Sequence, residues 1–360
     1  MMSHRQKAAA FWLGGLLLVL ILLVVFRQIL LPFIAGAAFA YALHPAADWL
    51  ERRGLSRFAA AGAILAVLAV LIVAILILLV PLLVNQMIEL LRGLPGYLTR
   101  LEQMFGASLD SEWARFLGID AESIRTAIAA FTSQGVGIAT TLIGSLWTGG
   151  WAIVDIVSLL VVTPFITFYL LRDWHQMIAR VDRLLPRDQA EEIRRLGRDI
   201  DHKVSAFVRG QLLVGLLLGI FYAIMLVAIG LNYGLLIGLS AGILSFIPYL
   251  GFTVGFAVSI IIAIVQFWPD WPWLLAVVLV FSVGELLEGY ILQPRLIGRN
   301  VGLHPVWLIF SLFAFGLLFG FVGLLIAIPL GAAIGVILRF GIERYQASTL
   351  YRGTGPMDVL

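Results

Sequence analysis

The stretch Trp273-Leu274-Leu275-Ala276-Val277-Val278-Leu279-Val280-Phe281-Ser282-Val283-Gly284-Glu285-Leu286-Leu287-Glu288-Gly289-Tyr290-Ile291-Leu292-Gln293-Pro294-Arg295 decides how this chain is read. An apolar run of this length has the character of a membrane span, yet it takes in two carboxylates. A glutamate inside a bilayer is costly to hold and marks a functional site by default. Glu285 and Glu288 are spaced i, i+3, so an α-helix projects both from one face. Gln293, Pro294 and Arg295 then close the run with a polar, helix-ending signal.

The rest of the chain shares this character. Of 360 residues, 61% are hydrophobic and only 12% charged, and the mean hydropathy is +1.03. Soluble domains carry about 25% charged residues, so the expected fold class is an all-α polytopic membrane protein. The pI of 9.3 reflects arginines clustered beside apolar runs, where they set topology. It gives no reason to expect nucleic acid as a partner. The chain has no cysteine, and its five histidines show no metal-ligand spacing. It has no phosphate-binding G-x-x-x-x-G-K-[ST] loop and no nucleophile–base constellation, so neither a cofactor, a metal nor enzyme chemistry is expected.

Apolar periodicity divides the chain as follows. Residues 1–84 hold three spans, about Ala8–Phe26, Ile29–Leu43 and Phe58–Val84. The first is too long for a signal-peptide core and reads as uncleaved. Arg27 after it reads as a snorkelling interface residue. The second is rich in small residues (Ala35-Gly36-Ala37-Ala38), which suits close helix packing. Residues 85–148 read as a small amphipathic helical segment outside the cytoplasm, its leucines at helical spacing and its acids outnumbering its arginines. Residues 149–171 form a fourth span. Residues 172–209 carry nine basic residues and read as a cytoplasmic charged helix linker. Within it, the run 187–203 is either a solvated face or a regulatory one. Residues 210–340 form the expected core, beginning with a fifth span at Leu212–Leu231, and 341–360 a cytoplasmic tail.

Within that core, topology constrains the breaks. The Trp-rich stretch 268–273 reads as an outer interfacial belt, and the basic loop after Leu292 reads as cytoplasmic. The apolar segments 233–267 and 306–338 must then each enter and return. Half-runs of about 14–16 residues are short for a span at about 1.5 Å per residue. Two broken or re-entrant hairpins entering from opposite sides, about eight membrane segments in all, are the expectation. Gly230-Leu231 precedes Gly251 by the interval at which Gly302-Leu303 precedes Gly323, and Leu236-Ile237 aligns with Leu308-Ile309. Opposed broken helices of this kind occur in inverted-repeat transporters.

Several residues are candidates on these grounds. Glu285 and Glu288 fit proton or cation coupling, because two close carboxylates in low dielectric resist joint ionisation. The alternative is structural: Glu288 pairs with Arg295, two α-turns on, while Glu285 faces water. Asp155, early in the fourth span, is a weaker coupling candidate. Ser245, Pro248, Tyr249 and Gly251 mark the first hairpin break, where unwound backbone contacts a substrate or ion if it lines a cavity. Gly316, Gly320 and Gly323 mark the second, with G-x-x-x-G packing as the competing reading. Gln211 and Asn300 read as helix-end hydrogen bonders.

The ordered motifs resemble a known family. They are Pro32-Phe33-Ile34-Ala35, Tyr41-Ala42-Leu43-His44-Pro45 with Asp48-Trp49-Leu50-Glu51-Arg52-Arg53, and Val204-Ser205-Ala206-Phe207-Val208-Arg209-Gly210-Gln211. Ser245-Phe246-Ile247-Pro248-Tyr249-Leu250-Gly251 follows, then Glu288-Gly289, Pro294, Ile297-Gly298 and Val301-Gly302-Leu303-His304-Pro305. Together they resemble the AI-2E family, also called PerM. The family pattern commonly has a polar residue at the position of Gly289. The resemblance implies a multi-pass protein of the bacterial inner membrane without an ATPase, acting as an autoinducer-2-like exporter or a sodium(lithium)/proton antiporter. It singles out Glu288, with Gln293, Pro294, Arg295, Gly298, His304 and Pro305 as a hinge motif. The reading is a secondary transporter exporting a small polar molecule or cation across the lipid bilayer, expected as a homo-oligomer with both termini in the cytoplasm. A passive oligomeric channel and a membrane scaffold or regulator are the alternatives.

Overall fold

A chain in lipid has to satisfy its own backbone hydrogen bonds, so long apolar runs fold as helices. The computed structural model describes residues 14–15, 18, 21–109, 150–297, 304–348 and 351, and among these every regular element is helical. Six helices are long and apolar enough to cross a membrane, and two shorter apolar helices, Gly234–Leu244 and Pro305–Phe319, accompany them. The protein is an all-helical polytopic membrane protein. The first expected span lies largely outside the described residues.

The helices outlast the apolar runs. Helix α1 (Leu30–Arg52) continues nine residues past the expected span end at Leu43. Helix α2 (Arg57–Ala74) passes through a π-turn (Ile75–Leu79) into α3 (Val80–Leu109), so the described part of the 85–148 segment continues the third span. Helix α4 is Gly150–Arg183 and α5 is Ala190–Ile229, which joins the charged linker to the fifth span. Hydropathy sets where a bilayer ends. The Glu, Arg, Leu and Ala residues beyond it are good helix formers in water too.

The chain divides into two compact units. The first draws on residues 1–65, 158–210 and 297–360. There α1 and α4 meet along small residues, as the composition of the second span predicts. A Cβ on Gly36 would lie 2.8 Å from the Ile166 side chain. The buried hydroxyls of Thr163 and Thr167 donate to the carbonyls of Pro32 and Gly36 at 3.3 and 3.1 Å. Ala40, Ala47, Ala61, Ile64 and Leu171 form the core beside this seam. Arg57 staples three helices: it donates to Asp48 and Glu51, bonds His44 Nδ1 at 3.0 Å, and donates to the Leu171 carbonyl at 2.8 Å. The His44, Asp48 and Glu51 signature is thus one wall of a half-buried guanidinium site.

The second hairpin belongs to this unit. His304 caps α9 (Pro305–Phe319) by accepting from the Val306 N–H, with Pro305 in the first turn. Helix α10 (Phe321–Ala347) returns after Gly320, whose φ of 63° and ψ of −139° suit only glycine. The three-glycine break of the sequence reading narrows to this one residue. Gly316 lies inside α9, where a Cβ would meet Leu324 at 2.9 Å. Gly323 lies in α10 against the Phe315 carbonyl, which a Cβ would strike. Both therefore lie at close packing contacts between the two arms.

The second unit draws on residues 66–157 and 211–296. It contains the first hairpin, α6 (Gly234–Leu244) and α7 (Leu250–Phe267). Helix α8 (Trp271–Leu286) follows and runs into a π-helical segment, Leu287–Ile297. The hairpin arms are unequal, against the expected 14–16 residues each. They have 11 and 18 residues in the first hairpin and 15 and 27 in the second. At about 1.5 Å per residue only the second arm of each approaches a hydrocarbon core of about 30 Å.

Candidate functional site

Three glycines of α6 at i, i+4 and i+8 build the floor of the second unit. Gly238 and Gly242 press on the α5 backbone at Ala223 and Gly219, closer than any Cβ would allow, and Gly234 rests on Leu226. Gly215 opposes the Gly242 carbonyl in the same way. This is the small-residue route to helix contact in lipid. It brings the α6 terminus, and hence the hairpin break, against α5.

The break is tightly bonded. Ser245 is buried, its hydroxyl donates to the Gly242 carbonyl at 2.7 Å, and its own carbonyl accepts from the buried amide of Gln211. Gln211 is thus the helix-end partner its sequence position suggests. Pro248 is half-buried, and Tyr249 is exposed in the left-handed region at φ 66°. Gly251 begins α7 with its α-carbon so near Ser245 that a Cβ would lie 2.6 Å from that backbone nitrogen. Gly251 and Gly323, matched by the sequence interval, therefore do the same job: each lets a returning arm start against the arm before it.

Two further glutamines hold the other end. Gln86 on α3 accepts the Leu236 N–H, an orphan donor in the first turn of α6, at 3.1 Å. Gln266 on α7 accepts the Asn232 N–H at 2.9 Å and donates to the Gly230 carbonyl at 2.7 Å. Neither belongs to a motif. The signal that finds them is a lone amide in an apolar surrounding, which needs a partner when buried.

The glutamates lie beyond an aromatic cluster. Tyr222 of α5 stacks on Phe281 of α8 at 4.7 Å, and Phe252 and Phe256 meet Phe281 edge-on at 6.2 and 5.7 Å. Gly284 leaves room for the Tyr222 hydroxyl, which is buried and has no hydrogen-bond partner among the described residues. Glu285 and Glu288 are within electrostatic reach of that hydroxyl. Glu285 is exposed and Glu288 half-buried.

Helix type decides what Glu288 touches. The described partner of Glu288 is Gln293, whose Nε2 donates to Oε1 at 3.0 Å. In an α-helix residues five apart point about 140° away from each other. In a π-helix they are stacked, because bonding runs i→i+5. The same change carries Arg295 off the Glu288 face, and no ion pair joins the two. The proposed Glu288–Arg295 pairing is therefore replaced. Pro294 sits inside the π segment, so it does not end the helix as its sequence position suggests. Asp155 lies in α4, and its side chain falls outside what is described; Gly298 and Asn300 lie outside the described residues altogether. Among the described residues no group of three His, Asp or Glu could hold a metal ion.

Long apolar helices, a glutamate-bearing π segment and tight glycine hairpins define a polytopic helical membrane protein. The chain belongs to the AI-2E transporter family, whose model, described as AI-2E family transporter, matches residues 13–343. It is similar to PerM of Escherichia coli (strain K12), named as a candidate permease, at 30% identity over 331 residues, 87% of this chain and 88% of that one. It is also similar to YrrI of Bacillus subtilis (strain 168), named as a candidate transport protein, at 28% identity over 319 residues, 87% of each chain. These relationships support a role in membrane transport.

Proposed function

We propose that this protein is a secondary transporter that exports a small polar molecule, of the autoinducer-2 kind, or a cation across the bacterial inner membrane, coupled to proton entry. One observation carries the reading: Glu288 is a half-buried carboxylate in a span, and its described partner is a neutral amide. Such a group is free to exchange a proton or hold a cation, whereas one locked to an arginine is not. Glu285, three residues away, raises the local negative charge. The unused hydroxyl of Tyr222 supplies a donor nearby. The π segment supports the assignment, since such segments are frequent at functional sites. The basic segment 172–209 favours a cytoplasmic placement for it and for both termini. Sodium(lithium)/proton exchange is the same site with the cation as cargo.

The test is reconstitution of the full chain in vesicles with an internal pH probe, screening sodium, lithium and small polar metabolites. Wild type should move protons against one cargo with saturation. Glu288→Gln should abolish that proton movement at equal incorporation and equal melting temperature. Unchanged coupling removes the carboxylate mechanism, and non-saturating flux without coupling replaces the transporter with a channel.

A further inference from the structure

We propose that a cleft in the first unit binds a phosphate-bearing anion, supplied by an acidic phospholipid headgroup or by a soluble phosphate. The cleft has a volume of about 390 Å³ and lies between the polar half of α5 and the last turns of α10. Small-molecule sites span about 300–1,000 Å³, so there is room for a headgroup as well as an ion.

Both walls are built by helical spacing. Arg195, Asp199, His202 and Lys203 recur at i, i+4, i+7 and i+8, one face of α5. Opposite them, α10 presents Arg339 and Glu343 together with the apolar Val336 and Phe340. An ion pair between Arg344 and Glu192 ties the two helices together beside the cleft. That clamp holds the gap while consuming none of the cations that line it.

The charges select an anion. Three permanent cations face two carboxylates, and none of the five is ion-paired among the described residues. A cationic ligand would meet three like charges. A phosphate offers several acceptor oxygens, which suit the forked donors of Arg195 and Arg339 together with the Lys203 ammonium. Position points in the same direction. Arg339 directly follows the apolar Ile337-Leu338, so the cleft opens where α10 leaves its hydrophobic stretch. Basic groups at such a boundary attract acidic lipids. Val336 and Phe340 would then meet the upper acyl chain.

The full-length protein tests this in two arms. In the first, it is purified from nanodiscs of phosphatidylglycerol and phosphatidylcholine, and retained lipid is counted by native mass spectrometry. Wild type should retain phosphatidylglycerol over phosphatidylcholine, and the triple change R195Q/K203Q/R339Q should lower that retention at least fivefold. In the second, inorganic phosphate is added in detergent against chloride at equal ionic strength, and melting is followed. Lipid retention lost in the triple variant assigns a lipid source. Phosphate-specific stabilisation, lost in the variant without lipid selectivity, assigns a soluble one. Equal behaviour of wild type and variant in both arms overturns the site. Should the triple variant fail to fold, R339Q alone carries the same comparison, with a twofold or greater loss expected, because Arg339 is exposed and has no ion-pair partner among the described residues.

Discussion

Gln293 reaches back five residues to donate a hydrogen bond to Glu288, and the two meet because the helix between them is a π-helix. A hydrogen bond to a charged group contributes about 1.5–3 kcal/mol, and about 1.4 kcal/mol is tenfold in an equilibrium constant. On the proposed carboxylate mechanism, Gln293→Leu should therefore slow proton-coupled flux about tenfold while leaving the protein folded. Flux in vesicles, compared with an unchanged melting curve, checks this. An unaltered rate would show that the amide does not position the carboxylate.

Gly242→Leu should prevent assembly of the second unit. Its side chain would occupy space held by the backbone of Gly219, and neither helix can give way without moving the hairpin break. Overpacking of this kind costs about 1–3 kcal/mol or more, well into the range of total stability. The contrasting change is Gly197→Ala, where nothing lies within 4 Å of the added methyl. It should stabilise α5 by about 0.5–1 kcal/mol through helix propensity. Melting temperatures in detergent distinguish the two.

Gln211→Leu removes the donor to a buried carbonyl at the first hairpin break. Leaving such a group unsatisfied costs about 1–3 kcal/mol. Hydrogen exchange at 245–250 should accelerate, with little change in the second hairpin. Uniform acceleration throughout would mean that the glutamine supports the whole fold and not the break.

Arg57→Ala should destabilise the first unit by about 1–3 kcal/mol, the scale for leaving the buried Leu171 carbonyl without its donor, because the exposed carboxylates of Asp48 and Glu51 are screened by solvent. The Leu171 carbonyl and His44 would lose their donor along with the two carboxylates. Arg57→Lys should rescue only part, because an ammonium cannot reproduce the fork of contacts. Thermal unfolding of the three proteins gives the order.

Acid should loosen the turn between α4 and α5. Arg194 donates two hydrogen bonds to Asp182, at 2.6 and 3.0 Å, and holds its carboxyl below the usual carboxylate range. The unfolded state then binds the proton more readily, so this contribution is present above about pH 4 and fades as pH falls through the lower folded value. Relative to intrinsic rates at each pH, hydrogen exchange around 182–194 should become faster below about pH 4 in wild type. Asp182→Asn should show that faster exchange already at neutral pH.

Composition and run length determined the class of this protein. Hydropathy is a local property, and a bilayer reads it directly, so spans, the two hairpins and the glutamates within a span were legible from residue order. Lone amides such as Gln211 announced a partner without naming it. The tertiary structure alone decided which contact each polar residue makes. Glu288 meets Gln293 and not Arg295 because the local helix is π, a departure that the apolar pattern does not encode. Gly320 breaks its hairpin while Gly316 and Gly323 pack, because only the backbone angles and the opposing atoms tell these roles apart. The basic cleft of α5 and α10 joins residues that lie far apart in the chain, and spacing within each helix says nothing about which faces meet.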